Sequence, residues 1–274
     1  MQLSKFGVAL ARLPGGIGRR LFASCLLMGL LACGQVVHAD SPDDLFLSAR
    51  NAYNTRNLNA LTSASQALHA QRYILAPYTD YWRFLLDLNQ ADKASIRAFL
   101  EQYRDAPFAD RLRGEWLKVL ARRQDWSTFF EEYPKLQRDD MAVSCYAADG
   151  GIQQGQESAV RDGKALWMTG NELPANCGAV FERLQTGGVL REEDIWARTR
   201  LLLQGSKMTV AKTVLQRLPN IDKNNLKLLD KAYQNPQQVL EKRQISFKSR
   251  LGKELNLYAL ERLSRSQPAL ALDL

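Results

Sequence analysis

The chain has few of the residues from which most catalytic and metal sites are built. It holds only two histidines, His38 and His69, and four cysteines among 274 residues. Sites that need several histidines for zinc are therefore excluded, and no glycine-rich phosphate loop of the form G-x-x-x-x-G-K-[ST] occurs. We expect no metal ion, no cofactor and no catalytic residue in this chain.

The first 39 residues lack acidic side chains, and the chain lacks a hydrophobic run long enough to span a membrane. Four basic residues precede an apolar run of 14 residues, 21–34, against the roughly 20 that a spanning helix needs. Val37-His38-Ala39 then has the small-residue pattern of a signal peptidase site. We predict a signal peptide over residues 1–39, cleaved between Ala39 and Asp40, and a mature chain that lies outside the cytoplasm. A second interpretation stays open, because Leu30-Leu31-Ala32-Cys33 resembles a lipobox that would place a lipid anchor on Cys33.

Positive charge is concentrated in the last third of the chain. The whole sequence carries a net charge of +8, and residues 207–265 hold 13 basic against 5 acidic residues. Such a segment can attract an acidic polymer such as peptidoglycan, or it can be an ordinary solvated face. Aromatic residues are not interleaved with the lysines and arginines as in a single-strand nucleic-acid groove, so no nucleic-acid partner is expected.

Two cysteines remain after the predicted leader is removed. In an oxidising compartment Cys145 and Cys177 are expected to form a disulfide, with two separate buried thiols as the alternative.

Apolar residues recur at helical spacing along the mature chain, as in Leu112, Trp116 and Val119. Ser41-Pro42-Asp43-Asp44 is typical of a helix start. Short sequences that contain glycine or proline, among them Gly150-Gly151 and Asn235-Pro236, predict the ends of helices of about 10 to 16 residues. The adjacent carboxylates Glu131-Glu132 are interpreted as solvated charges, because neighbours on a helix point in different directions.

One plan recurs four times, in which a tryptophan heads an apolar helix and a short turn leads to a second helix with an apolar pair. The tryptophans are Trp82, Trp116, Trp167 and Trp196. Because a single hairpin cannot bury its apolar face alone, the hairpins are expected to stack. We predict an all-α fold, a right-handed superhelix or solenoid of short helical hairpins over residues 40–274.

The residues together resemble a known family. Ser41 to Arg50, the helix with Pro77-Tyr78-Thr79-Asp80-Tyr81-Trp82, the Asp125-Trp126 turn, and Trp167 followed by Cys177 are similar to the N-terminal superhelical domain of soluble lytic murein transglycosylases. The resemblance covers most of residues 41–265. It implies a ring-like superhelix, a disulfide between Cys145 and Cys177, and action on peptidoglycan in the periplasm.

The resemblance also implies a lysozyme-like catalytic domain, which follows the superhelix and cleaves the MurNAc-GlcNAc bond to a 1,6-anhydro product. We expect that domain to be absent and the superhelix to be incomplete at its C-terminus, because the chain ends at Leu274 within an apolar helical pattern. Glu157-Ser158 matches the family's catalytic dipeptide, but no Gly-Leu-Met-Gln follows, so it is interpreted as a chance match. The alternative function is a stand-alone exported helical-repeat adaptor that binds a protein partner.

The N-terminus of the secreted protein tests the prediction of the leader. Mass spectrometry of the exported protein should find Asp40 as its first residue. An acylated Cys33 at the N-terminus would contradict this prediction and would place the protein on a membrane.

Overall fold

The first helix begins where the sequence predicts it, directly after a serine that caps its N-terminus. The Ser41 hydroxyl accepts a hydrogen bond from the Asp44 backbone N–H at 3.1 Å, and Pro42 occupies the first helical position. The computed structural model describes residues 41–138 and 140–274. Cys33, Ala39 and Asp40, and with them the predicted signal peptide, lie outside the described residues.

Helices account for all the regular secondary structure in these ranges. They are α1 (Pro42–Asn54), α2 (Leu58–Ala70), α3 (Ala76–Asp87), α4 (Lys93–Gln102), α5 (Pro107–Arg122), α6 (Trp126–Glu132), α7 (Met141–Gln153), α8 (Glu157–Trp167), α9 (Cys177–Thr186), α10 (Glu192–Gln204), α11 (Met208–Leu215), α12 (Lys223–Gln234), α13 (Pro236–Glu241), α14 (Arg250–Ser266) and α15 (Pro268–Asp273), with a 3-10 turn at Tyr133–Lys135. The predicted all-α fold is confirmed, with helices of 6 to 17 residues.

Successive helices pack as hairpins, and the hairpins share apolar residues. Helices α1 and α2, α7 and α8, and α10 and α11 are closely packed neighbours, and contacts of α3 with α5 and of α7 with α9 connect one hairpin to the next. Their buried residues form three clusters, centred on Leu61, on Trp116 and on Trp167. Each hairpin therefore completes its core with residues of its neighbour, as a helical repeat requires.

The four tryptophans of the predicted repeat take part in these cores. Trp116, Trp167 and Trp196 are almost fully buried, and Trp82 is partly buried. One detail of the prediction is wrong, because these tryptophans do not head their helices. Trp82 and Trp116 lie in the middle of α3 and α5, and α8 ends at Trp167. The Trp167 indole N–H donates to the backbone oxygen of Asp194 at 2.8 Å, which joins α8 to α10.

A disulfide joins Cys145 in α7 to Cys177 at the start of α9. Their Cα atoms are 5.0 Å apart, and both residues are buried. The bond closes a loop of 32 positions that contains α8. It therefore links α7 to α9, the two helices that flank α8. Chain-entropy arguments give a disulfide across such a loop a stabilisation of roughly 3 to 4 kcal/mol.

The glycine pair Gly150-Gly151 does not end a helix, in contrast to the sequence prediction. Both residues lie inside α7, which continues to Gln153, and the left-handed turn that follows is made by Gly155 with φ of +73°. A Cβ atom on Gly150 would lie 2.5 Å from the Trp126 ring, and one on Gly151 would lie 2.5 Å from the Cβ of Ala159. The glycines allow neighbouring helices to approach α7 closely.

Glu132 is not a solvated charge, so the interpretation of the Glu131-Glu132 pair is wrong for this residue. Its side chain is 1% exposed and is surrounded by cations of three segments. Arg97 in α4 and Lys135 contact it at 2.9 and 3.0 Å, and Arg113 in α5 makes a further ion pair. Burial opposes ionisation, yet the hydrogen bonds from Lys135 and Arg97 hold the pKa of Glu132 below its ordinary value.

Replacement of Gly150 tests the close approach of α6 and α7. Gly150→Ala should lower the free energy of unfolding by about 1–3 kcal/mol, because its methyl group would overlap the partly buried Trp126 ring. Gly178→Ala in α9 is the matched control, since no atom lies within 4 Å of its Cβ position, and it should be neutral or slightly stabilising. Chemical denaturation measures both, and equal losses would contradict the packing argument.

Glu132 should make stability depend on pH. Its pKa is lower in the folded chain than in the unfolded chain, so its contribution is complete above the ordinary value of 4.5 and is lost as the pH falls through the folded pKa. At pH 7, Glu132→Gln should lower the free energy of unfolding by about 2–4 kcal/mol, because Arg113 loses its carboxylate partner in the interior.

The neighbouring residue provides the control. Glu131 is 59% exposed and, within the described ranges, pairs only with Arg97, so Glu131→Gln should cost less than about 1 kcal/mol. Urea titrations between pH 3 and pH 7 compare the two variants. An acid dependence that is unchanged in Glu132→Gln would rule out Glu132 as its source.

Candidate functional site

Eight basic side chains of residues 207–253 are exposed and form no ion pair with the described residues. We call them the basic surface. They are Lys207, Lys223, Lys227, Lys231, Lys242, Arg243, Lys248 and Lys253. The remaining charge of the basic segment is partly neutralised, because Lys212 pairs with Asp230, Arg250 with Glu193 and Glu254, and Arg265 with Glu261.

A groove opens where α12 ends, beside α13 and the last turns of α14. Its volume is about 740 Å³, and we call it the amide groove because amide side chains dominate its lining. The lining residues include Gln234, Asn235, Gln237, Gln238 and Gln267, together with Lys242, Arg262 and Arg265. The groove is thus continuous in sequence with the basic surface through Lys242.

One arginine orders the wall of the amide groove. The Arg262 guanidinium lies 3.9 Å from the centre of the Tyr233 ring, and its Nε–H donates to the Tyr233 backbone oxygen at 2.6 Å. This stacking and hydrogen bond fix the guanidinium in α14 against the end of α12. The remaining N–H groups of Arg262 and the neighbouring amides can form hydrogen bonds with hydroxyl, amide and carboxylate groups of a polar polymer.

The basic segment is predictable from the sequence, whereas the amide groove was not predicted. Asn235-Pro236 was interpreted only as a helix break, which it is, since Asn235 both ends α12 and precedes α13. The signal that points to the groove is the run Gln234-Asn235-Pro236-Gln237-Gln238, which places four amide side chains around one short turn.

His69, Ser65 and Asp80 meet between α2 and α3. The Asp80 carboxylate accepts from the Ser65 hydroxyl at 2.8 Å and contacts His69 Nε2 at 2.6 Å. The carboxylate thus lies between the serine and the imidazole, and Ser65 is buried, so the histidine does not reach the hydroxyl as a general base must. The three side chains fasten α2 to α3.

Glu157 is exposed at the first position of α8, where an acidic side chain favours the helix N-terminus. A glycosidase acid needs an enclosed site, and an exposed helix end does not supply one. Within residues 41–138 and 140–274 no group of three potential metal-ligating side chains occurs. None of the helices in those ranges is long and apolar enough to cross a membrane.

Comparisons with curated proteins find soluble lytic murein transglycosylases. The protein of that name from Escherichia coli K12 is 24% identical over 194 residues, which are 69% of this chain and 30% of that protein. The corresponding protein of Salmonella typhimurium is 23% identical over the same share. This chain thus spans about 30% of the length of these relatives. No family model matches the chain.

Solved structures give the same result. A lytic transglycosylase from Pseudomonas aeruginosa, solved as an inactive mutant, is 29% identical and superposes with a TM-score of 0.68 over 84% of this chain and 37% of that one. The 70-kDa soluble lytic transglycosylase from Escherichia coli has a TM-score of 0.65 at 21% identity over 85% of this chain, a likeness of fold. The resemblance to soluble lytic murein transglycosylases is confirmed, and so is the all-helical superhelical fold.

Proposed function

We propose that this chain is the non-catalytic superhelical part of a periplasmic soluble lytic murein transglycosylase. The observation that carries the proposal is the similarity in sequence and in fold to a Pseudomonas aeruginosa lytic transglycosylase over 84% of this chain. The proposed organisation is a signal peptide over residues 1–39 and one superhelical domain over residues 40–274. The compact unit from Ser41 to Leu274 is compatible with that division.

We propose further that the domain associates with peptidoglycan through the basic surface and the amide groove. The glycan strands of peptidoglycan carry many hydroxyl and amide groups, and their peptides carry carboxylates. The eight unpaired cations would attract such an acidic polymer over distances of about a Debye length, roughly 10 Å at 0.1 M salt. The amide groove would then supply short-range hydrogen bonds.

The proposed role is one of binding and positioning. Glu157 supports this role, because its exposed place at the start of α8 gives it no means of acting as a glycosidase acid. Cleavage of the glycan would then depend on a catalytic domain of the kind that the sequence resemblance implies.

A sacculus binding assay tests the proposal. The mature chain from Asp40 should sediment with purified murein sacculi, and the bound fraction should fall several-fold as salt rises from about 50 to 500 mM. Lys227→Glu combined with Lys231→Glu should reduce the bound fraction, because two of the three exposed lysines of α12 are then replaced by groups that repel the polymer. Chromatography of the supernatant should find no 1,6-anhydromuropeptides.

The matched control reverses two exposed charges elsewhere. Arg50 in α1 and Arg161 in α8 are exposed and form no ion pair in the described part of the chain. The double variant Arg50→Glu with Arg161→Glu therefore changes the net charge by the same amount as the double variant of α12. Equal loss of binding in both double variants would show that only net charge matters. Absence of binding at every salt concentration would favour the adaptor function, and anhydro products that disappear in Glu157→Gln would show that Glu157 is catalytic.

A further inference from the structure

One guanidinium is buried in the domain without the partners that a buried charge normally has. Arg198 in α10 is 3% exposed, and no acceptor among the described residues lies within hydrogen-bonding distance of its Nε. The guanidinium makes one hydrogen bond to the part of the chain that the structure describes, a long one from Nη2 to the Asn171 backbone oxygen at 3.4 Å. Most buried polar groups in proteins are hydrogen-bonded, and each exception requires an explanation.

A second guanidinium lies nearby instead of a carboxylate. Arg198 is 4.6 Å and Arg217 is 5.6 Å from the centre of the same Trp167 ring. Neither arginine forms an ion pair with a carboxylate of residues 41–138 or 140–274, and Arg217 bonds only the amide of Gln185, at 3.3 Å. Two positive charges therefore lie close together, one of them buried and the other partly exposed, which is unfavourable without an anion.

The electrostatics agree with this geometry. Burial and the charge of Arg217 lower the pKa of Arg198 to about 10, and burial also lowers the pKa of Arg217, partly offset by Glu182. Both groups still carry their charge at neutral pH. The acidic residues around the pair are Glu182 and, on the rim, the exposed Glu172.

Both guanidinium groups line one cavity of about 240 Å³. Trp167 and Phe181 form part of its wall with Cys177 of the disulfide, and Val210 and Val214 of α11 add an aliphatic side. The liquid volume of a water molecule is about 30 Å³, so the cavity has room for a ligand of roughly amino-acid size. It combines two cations at one place with apolar walls around them.

We propose that this cavity binds a carboxylate carried on a small aliphatic group, with Arg198 and Arg217 as the residues that hold the carboxylate. A guanidinium presents parallel N–H donors that match the two oxygens of a carboxylate, and the Nε of Arg198 is the unused donor of such a pair. The bound anion would reduce the repulsion between the two cations and would accept a hydrogen bond from the buried donor. The valine side chains would contact the aliphatic part. This site is independent of the proposed binding of peptidoglycan.

Titration with a matched acid and amide tests the proposal. N-acetylalanine carries the proposed carboxylate, and N-acetylalaninamide is its neutral counterpart of almost the same shape. At constant ionic strength the acid should bind the chain of residues 40–274 with millimolar affinity and shift the indole N–H resonance of Trp167, which lines the cavity. The amide should bind at least about tenfold more weakly.

Variants of the two arginines identify the site. Arg217→Gln should weaken binding of the acid at least about tenfold, and Arg198→Lys should weaken it although the charge is kept, because the planar donor pair is lost. Lys207→Gln is the control, since it removes one exposed positive charge outside the cavity and should leave affinity unchanged. Circular dichroism and melting temperature establish that each variant is folded. If Arg198→Lys does not fold, Arg217→Gln alone still tests the proposal.

Three results would overturn the proposal. They are equal binding of acid and amide, no shift of the Trp167 resonance up to about 50 mM acid, and an equal effect of Lys207→Gln and Arg217→Gln. An acetylated alanine tripeptide and its C-terminal amide identify the natural form of the ligand. Tighter binding of the tripeptide acid than of N-acetylalanine indicates the end of a peptide, and weaker binding indicates a free small acid.

Discussion

Burial of short amphipathic helices against the next hairpin is the constraint on which the rest of the structure depends. No helix in the described ranges is longer than 17 residues, and such helices have little stability on their own in water. Their apolar residues are instead shared between hairpins in three clusters. Each close approach between helices, such as that of Trp126 to Gly150, therefore affects two hairpins at once.

The same stacking brings charged side chains into the interior, with two different outcomes. Glu132 is surrounded by Arg97, Arg113 and Lys135, so its burial is compensated within the chain. Arg198 is equally inaccessible but has aromatic rings and a second arginine around it. A buried charge without a partner lowers stability, whereas a complete set of partners can offset the loss of water. The contrast separates a structural ion cluster from a candidate binding site.

The sequence predicted the fold class because helical periodicity, caps and breakers are local signals. Ser41 is a helix cap as predicted, and Asn235-Pro236 separates two helices. Gly150-Gly151 misled the prediction because glycine both ends helices and permits close packing, and only the position of the Trp126 ring distinguishes the two uses. Glu132 was misjudged for a similar reason, since two of its three partners, Arg113 and Arg97, are 19 and 35 residues away in sequence.

The candidate sites were predictable in part. Residues 207–265 were recognised by their charge, but which cations lack a partner depends on tertiary contacts such as that of Arg250 with Glu193. For Arg198 a local signal exists, because it lies three residues after Ile195 and four before Leu202, both buried on the same face of α10. A charged residue in an apolar stripe indicates a candidate functional position, because its burial lowers the stability of the fold.

The arrangement of charge on α12 supports an acidic partner for the basic surface. Lys223, Lys227 and Lys231 follow one another at intervals of four residues, a spacing that places like charges side by side on a helix and costs about 0.2–0.5 kcal/mol for each pair. On α5 the chain uses the opposite arrangement, in which Lys118 pairs with Glu115 three residues earlier. A row of lysines therefore lowers the stability of α12 relative to the pairing used on α5, and contact with an anionic polymer would remove that repulsion. This balance connects the proposed binding of peptidoglycan to the stability of the domain, because the polymer would stabilise α12 as it binds.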